Sequence, residues 1–185
     1  MKRLIITAAL ALAGCGLGRP SSAPAPGYED LAAYQIAARV VSTNDPLDGY
    51  RHAHSDNLRP MYPPGGGLRS DIFFRAINVP GQPPRVSIIV RTESDKDWAR
   101  PSSINFGEPL RIVPLTRSDL DAKCYTTTCF HREVSEAVLS ADDVAWMLGQ
   151  APELFTLRLK TRVGDADRRL RIDELRAVMS MAGIE

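Results

Sequence analysis

Along residues 85–93, RVSIIVRTE, apolar and polar side chains alternate. Val86, Ile88, Val90 and Thr92 share one face of an extended chain, and Arg85, Ser87, Arg91 and Glu93 the other, with Ile89 the exception. Successive side chains of a strand point to opposite faces, so this period of two predicts a half-buried strand. Residues 153–163 repeat it, with Phe155, Leu157, Leu159, Thr161 and Val163 inward against Thr156, Arg158, Lys160 and Arg162. Residues 71–79 and 110–115 are strand-like but apolar on both faces, which suits central strands, and 130–139 shows a weaker strand pattern. In 33–43, AYQIAARVVST, helix-favouring alanines lead into a β-branched end, and the balance falls on the side of a strand.

The helical period is confined to two short segments. Ser140-Ala-Asp-Asp143 is a capping-box-like start, followed by Val144, Met147 and Leu148 at helical spacing and by Gly149 as the stop. A second helix opens near Asp173 and Glu174, where acidic side chains meet the positive helix end; Leu175, Val178, Met179 and Ala182 form its buried stripe, and Gly183 closes it. Strands separated by turns, with two minor helices, predict a mainly-β fold: a single-domain antiparallel β-sandwich.

Residues 44–67 break the pattern. They contain NDPLDG, RHAHSDN and MYPPGGG, and they predict a long irregular excursion with at most one short strand. Loops of that length are uncommon in compact domains and are often functional. Tyr50, His52, His54, Asp56 and Tyr62 on this stretch are the candidate recognition residues, the tyrosines as stacking surfaces.

The N-terminus sets the compartment. MKRLIITAALALAGC has a short basic n-region, Lys2 and Arg3, and an apolar run from Leu4 to Ala13 broken only by Thr7. That run falls short of the roughly 20 residues a spanning helix needs and has the length and flanks of a signal-peptide core. Leu12-Ala13-Gly14-Cys15 resembles the bacterial lipobox. The resemblance implies cleavage before Cys15, acyl chains on its sulfur and amino group, and attachment to a membrane without spanning it. Gly16 stands where the familiar inner-membrane retention residue would be aspartate, which favours the periplasmic face of the outer membrane in a two-membrane host. In a single-membrane host the address would be the outer face of the cytoplasmic membrane. On this reading residues 1–14 are a signal peptide, 15–27 (CGLGRPSSAPAPG) a lipidated tether too small and Pro-rich to form a core, and 28–185 the domain.

Charge excludes one class of partner. The chain carries 23 Lys and Arg against 22 Asp and Glu, and two of the basic residues lie in the leader. A near-neutral domain has no electrostatic footprint for nucleic acid. The cluster Arg168-Arg169-Leu170-Arg171 reads as solvated strand and turn positions.

Several candidate chemistries fail on spacing. His52-Ala-His54-Ser-Asp56 resembles the metal motif of metallo-β-lactamase-like hydrolases, but Asn57 replaces its next histidine and only His131 remains downstream. Asp165 to Arg176 resembles an EF-hand loop, but Arg169, Leu170 and Arg176 stand where a ligand, the turn glycine and the bidentate glutamate belong; Val163 to Arg168 reads instead as a hairpin turn. Trp98 and Trp146 read as packing residues. No catalytic team emerges, and neither enzyme activity nor a metal or cofactor is expected.

In 124–131, CYTTTCFH, the cysteines with four residues between them and His131 behind fit metal ligands, a redox pair or a staple. With Cys15 consumed by lipid, the export signal leaves an even pair in an oxidising compartment, and C-x-x-C spacing is absent. A Cys124–Cys129 disulfide pinning the turn at 125–128 is therefore expected.

From Trp98 to Leu148 the chain resembles a pattern in small uncharacterised proteobacterial envelope lipoproteins: Trp98 before an apolar strand, the Cys124 and Cys129 turn, Glu133 or Glu136 in the next strand, and the capped helix after Ser140. The pattern implies no activity. The expected function is a lipid-anchored interaction module docking onto a larger envelope assembly through a protein partner. The alternative is a small-ligand or glycan-binding lipoprotein, and a metal-dependent hydrolase ranks third.

Overall fold

A computed structural model describes Tyr28 and residues 31–47, 49–55, 68–95, 97–125, 128–150 and 154–185. Cys15, the leader and tether expected over 1–27, Asp56 and Tyr62 lie outside the described residues.

The chain runs α1 (Ala33–Ala37), β1 (Val41–Asp45), β2 (Tyr50–His54), β3 (Arg69–Asn78), β4 (Arg85–Ser94), β5 (Ser103–Phe106), β6 (Arg111–Pro114), β7 (Thr116–Tyr125), β8 (Thr128–Val138), α2 (Ala141–Leu148), β9 (Leu154–Lys160), β10 (Ala166–Arg171) and α3 (Ile172–Met181). A six-stranded sheet has the order β1-β2-β3-β4-β8-β7, and a four-stranded sheet the order β10-β9-β5-β6. Neighbouring strands pair antiparallel throughout. The fold is mainly β and sandwich-like, as the period-two segments predict.

The core forms where the inner faces meet. Ile72, Phe74, Ala76, Val86, Ile88 and Val90 of β3 and β4 pack with Ile104, Phe106, Leu157 and Leu159 of the smaller sheet. That sheet does not cover the inner face alone: α3 lies against β2 and β3, and adds Ile172, Leu175, Val178 and Met179 to the same core. α1 packs in turn on α3, where Tyr28, Leu31, Ile36 and Ala177 make a small second cluster.

Both expected helices are present. In α2 the Ser140 hydroxyl accepts the Asp143 N–H at 3.1 Å, and the Asp143 carboxylate accepts the Ser140 N–H at 3.2 Å. α3 ends at Gly183 with φ +69°, a conformation that favours glycine.

Five expectations need correction. The inward face expected over 153–163 does not reach Val163, which lies beyond the end of β9 and is exposed. Residues 33–43 are not one strand: a turn of helix, α1, buries Ile36, and only the β-branched end Val41–Thr43 pairs as β1. Residues 44–54 are not an irregular excursion but a hairpin, β1–β2, so Tyr50, His52 and His54 belong to a strand. Its turn is closed by the Leu47 N–H donating to the Asp45 carboxylate at 2.9 Å and by Gly49 at φ +64°. Residues 110–115 do not form a central strand. β6 is an edge, with Val113 buried and Leu110 and Ile112 65% and 61% exposed, because only one side of a short edge strand meets the core. Arg171 is not solvated: its guanidinium is buried, donating to the Leu31 carbonyl and, at 2.9 Å, to Asp173.

Candidate recognition site

β2 aligns three of the expected recognition residues. Tyr50, His52 and His54 alternate along it and share one face, with ring centroids 6.3 Å apart for Tyr50–His52 and 5.2 Å for His52–His54. Ala53, between the histidines, faces inward and is fully buried. A single small inward residue between large polar ones gives the segment little apolar signal.

Cross-strand register then decides what joins them. His54 pairs with Arg75 and His52 with Ile77. Phe73 pairs with Ile89, and Asp71 with Arg91. Arg91 pairs onward with Val134, and Ile89 with Glu136. Directly paired residues lie on the same face, so these side chains form the outer face of the six-stranded sheet, across the sheet from α3.

A cleft of about 190 Å³ opens there, lined by His52, His54, Phe73, Arg75, Ile89, Arg91 and Val134. Phe73 and Ile89 make its apolar floor, both nearly inaccessible. His54 lies 6.3 Å from the Phe73 ring between centroids, and the Arg91 guanidinium stacks over that ring at 4.6 Å. Stacking holds the cation flat against the aromatic face.

Arg75 is held from the side. Its Nη2 lies 2.6 Å from one oxygen of Glu136, and Arg85 Nη2 lies 2.5 Å from the other. Burial works to raise the Glu136 pKa, but the neighbouring Ser87 hydroxyl and the two guanidiniums outweigh it and hold the carboxyl below its ordinary value. Glu136 therefore stays ionised and fixes Arg75 at the cleft wall.

No family model matches the chain, nor does any curated protein or solved structure. The site's reading therefore rests on its own residues.

The remaining candidates fall elsewhere. The sulfurs of Cys124 and Cys129 lie at disulfide distance, 2.01 Å, at the tip of the β7–β8 hairpin, where the two residues are direct cross-strand partners. His131, on β8, stacks against Trp98 at 4.8 Å between ring centroids. Glu133 points inward, fully buried, accepting the Arg100 N–H at 2.6 Å with Arg117 Nε 3.4 Å away. Trp146 packs between Phe106 and Phe155 at 5.5 and 6.4 Å. Among the described residues no three His, Cys, Asp or Glu side chains converge as a metal ligand set.

A second polar cluster fixes the N-terminal end of the domain. Glu174, fully buried on α3, accepts hydrogen bonds from the hydroxyls of Tyr28 and of Ser55, the latter at 2.6 Å. Tyr28 also accepts the Arg171 N–H at 2.9 Å. An acidic residue in a first helical turn usually faces solvent, and the sequence carries no sign that this one closes a buried network.

Proposed function

We propose that this chain is a lipid-anchored interaction module of the bacterial envelope, and that it presents the outer face of the six-stranded sheet to a protein partner. The observation that carries the reading is the placement of the cleft. Tyr28 and Leu31 are held against α3 on the inner side of the sheet, while His52, His54, Phe73, Arg75 and Arg91 open on its outer side. The position of Tyr28, the first described residue, on the α3 side supports a membrane attachment on the side opposite the recognition face.

The LAGC motif supports attachment through Cys15, where two or more acyl chains hold stably and one holds only marginally. Gly16 supports the periplasmic face of the outer membrane in a two-membrane host, and the outer face of the cytoplasmic membrane otherwise. The size of the cleft favours a protein over a free small ligand or glycan. At about 190 Å³ it is smaller than the roughly 300–1,000 Å³ of ligand pockets and suits one or two anchoring side chains.

The test is photocrosslinking in native envelopes. A crosslinker placed at Thr43 or His52, on the outer face, is expected to capture a reproducible partner, and one at Arg158 on the smaller sheet is not. The same abundant bystanders from all three positions would refute the docking role. Mass spectrometry of the membrane-extracted N-terminus is expected to show acylated Cys15; an unmodified peptide extending upstream of it would refute the anchor.

A further inference from the structure

We infer that a second cavity, between α2 and α3, seats an acyl chain carried by Cys15, a reading that rests on the lipid anchor proposed above. The cavity measures about 280 Å³, larger than the recognition cleft and close to the roughly 300 Å³ at which small-ligand pockets begin. Val86 and Leu139 form its floor, Val144 and Leu148 of α2 one wall, and Met179 and Ile184 the other. Val86, Leu139 and Met179 belong to the main core, so the cavity opens directly onto it. Val86 points to the inner face of β4, which puts the cavity across the sheet from the recognition cleft.

The lining selects the occupant. Its one polar side chain among the described residues is that of Glu185, which is exposed. A pocket that orients a polar guest supplies a few placed hydrogen-bonding groups. None of the other lining side chains offers one, so the occupant is plain hydrocarbon. A free fatty acid would bring its carboxylate against Glu185, and like charges repel. An acyl chain joined to Cys15 carries no charge at that point. The chain also has the reach. Tyr28 is fastened to Glu174 near the start of α3, and Met179 lies five residues further along the same helix, about 7.5 Å along its axis. Thirteen residues lead from Cys15 to Tyr28, enough to span up to about 45 Å. With one acyl chain seated here and the others in the bilayer, the α2–α3 side faces the membrane and the recognition cleft faces away.

The test feeds cells a palmitate analogue with a diazirine midway along its chain, and irradiates native envelopes that hold the protein. Mass spectrometry is expected to find Cys15 acylated by the analogue, and that same acyl group crosslinked to peptides containing Val144, Leu148 or Met179. Ala145→Trp, at an exposed position that lines the cavity, is expected to abolish those crosslinks while leaving Cys15 acylation and thermal unfolding unchanged. Crosslinks that persist in this variant, or acylated Cys15 crosslinked only to lipid, would overturn the acyl site and leave the anchor standing. Analogue crosslinked to the cavity but not joined to Cys15 would overturn the chain's own acyl group as the source and point to a free fatty acid. An unmodified Cys15 would remove the anchor and this inference with it.

Discussion

Glu136 is placed where burial and its neighbours act in opposite directions, and the neighbours win. A carboxyl whose folded pKa lies below its ordinary value contributes stability that is complete above the ordinary value, here 4.5, and is lost as pH falls through the lowered one. Stability to urea is therefore expected to decline on acidification below about 4.5, and Glu136→Gln is expected to flatten part of that decline while lowering stability at neutral pH. A slope unchanged in the variant would refute the assignment. Gly107 makes a different demand: at φ +80°, a Cβ there would stand 2.8 Å from the Trp146 ring, which is wedged between Phe106 and Phe155. Gly107→Ala is expected to cost about 1–3 kcal/mol and to alter the near-ultraviolet dichroism of Trp146. Part of the cleft was legible at this scale. Ile89 is the one residue that spoils the alternation of 85–93, and Phe73 lies in a segment apolar on both faces; they are the cleft floor. What no single residue reveals is that they meet, since that depends on the β3–β4 register.

Among the elements, the β7–β8 hairpin shows what its cysteines do and do not hold. Cross-strand pairing runs from Thr116–Glu136 to Tyr125–Thr128, and the Cys124–Cys129 bond closes only its far tip. A closed loop of six residues contributes about 2 kcal/mol in the loop-entropy view. The double variant Cys124→Ser, Cys129→Ser is expected to lower stability by no more than about that amount and to keep the fold, measured by chemical denaturation. Ser140→Ala, which removes the hydroxyl that caps the Asp143 N–H at the start of α2, is expected to cost about 1 kcal/mol by the same measurement. Strands with a full apolar face, β4 and β9, were legible in outline, as was the capped α2. The β1–β2 hairpin was not, although Asp45-Pro-Leu-Asp-Gly49 carries turn chemistry, because the strand after it has only Ala53 to bury. β6 misled for the converse reason: Leu110 and Ile112 look like core and face outward at an edge.

For the whole molecule, α3 joins what the strands leave unfinished. It covers the inner face of β2 and β3, and Glu174 holds Tyr28 and Ser55 together. A chain cut after Arg171 is expected to lose cooperative unfolding and to become protease-sensitive, rather than to lose only a terminal turn. Retained cooperativity would show that the sheets close without it. The composition and the period of two carried the fold class because both report burial. The Glu174 network stayed invisible because it joins residues 146 and 119 positions apart.

That separation also bears on time. α3 follows β1 to β10 in chain order, so Tyr28, Ser55 and the apolar side of β2 and β3 wait for the segment made after them. In a chain carrying the export leader proposed for residues 1–14, early closure would jam a narrow channel. A domain whose core waits for α3 stays threadable until that helix has crossed.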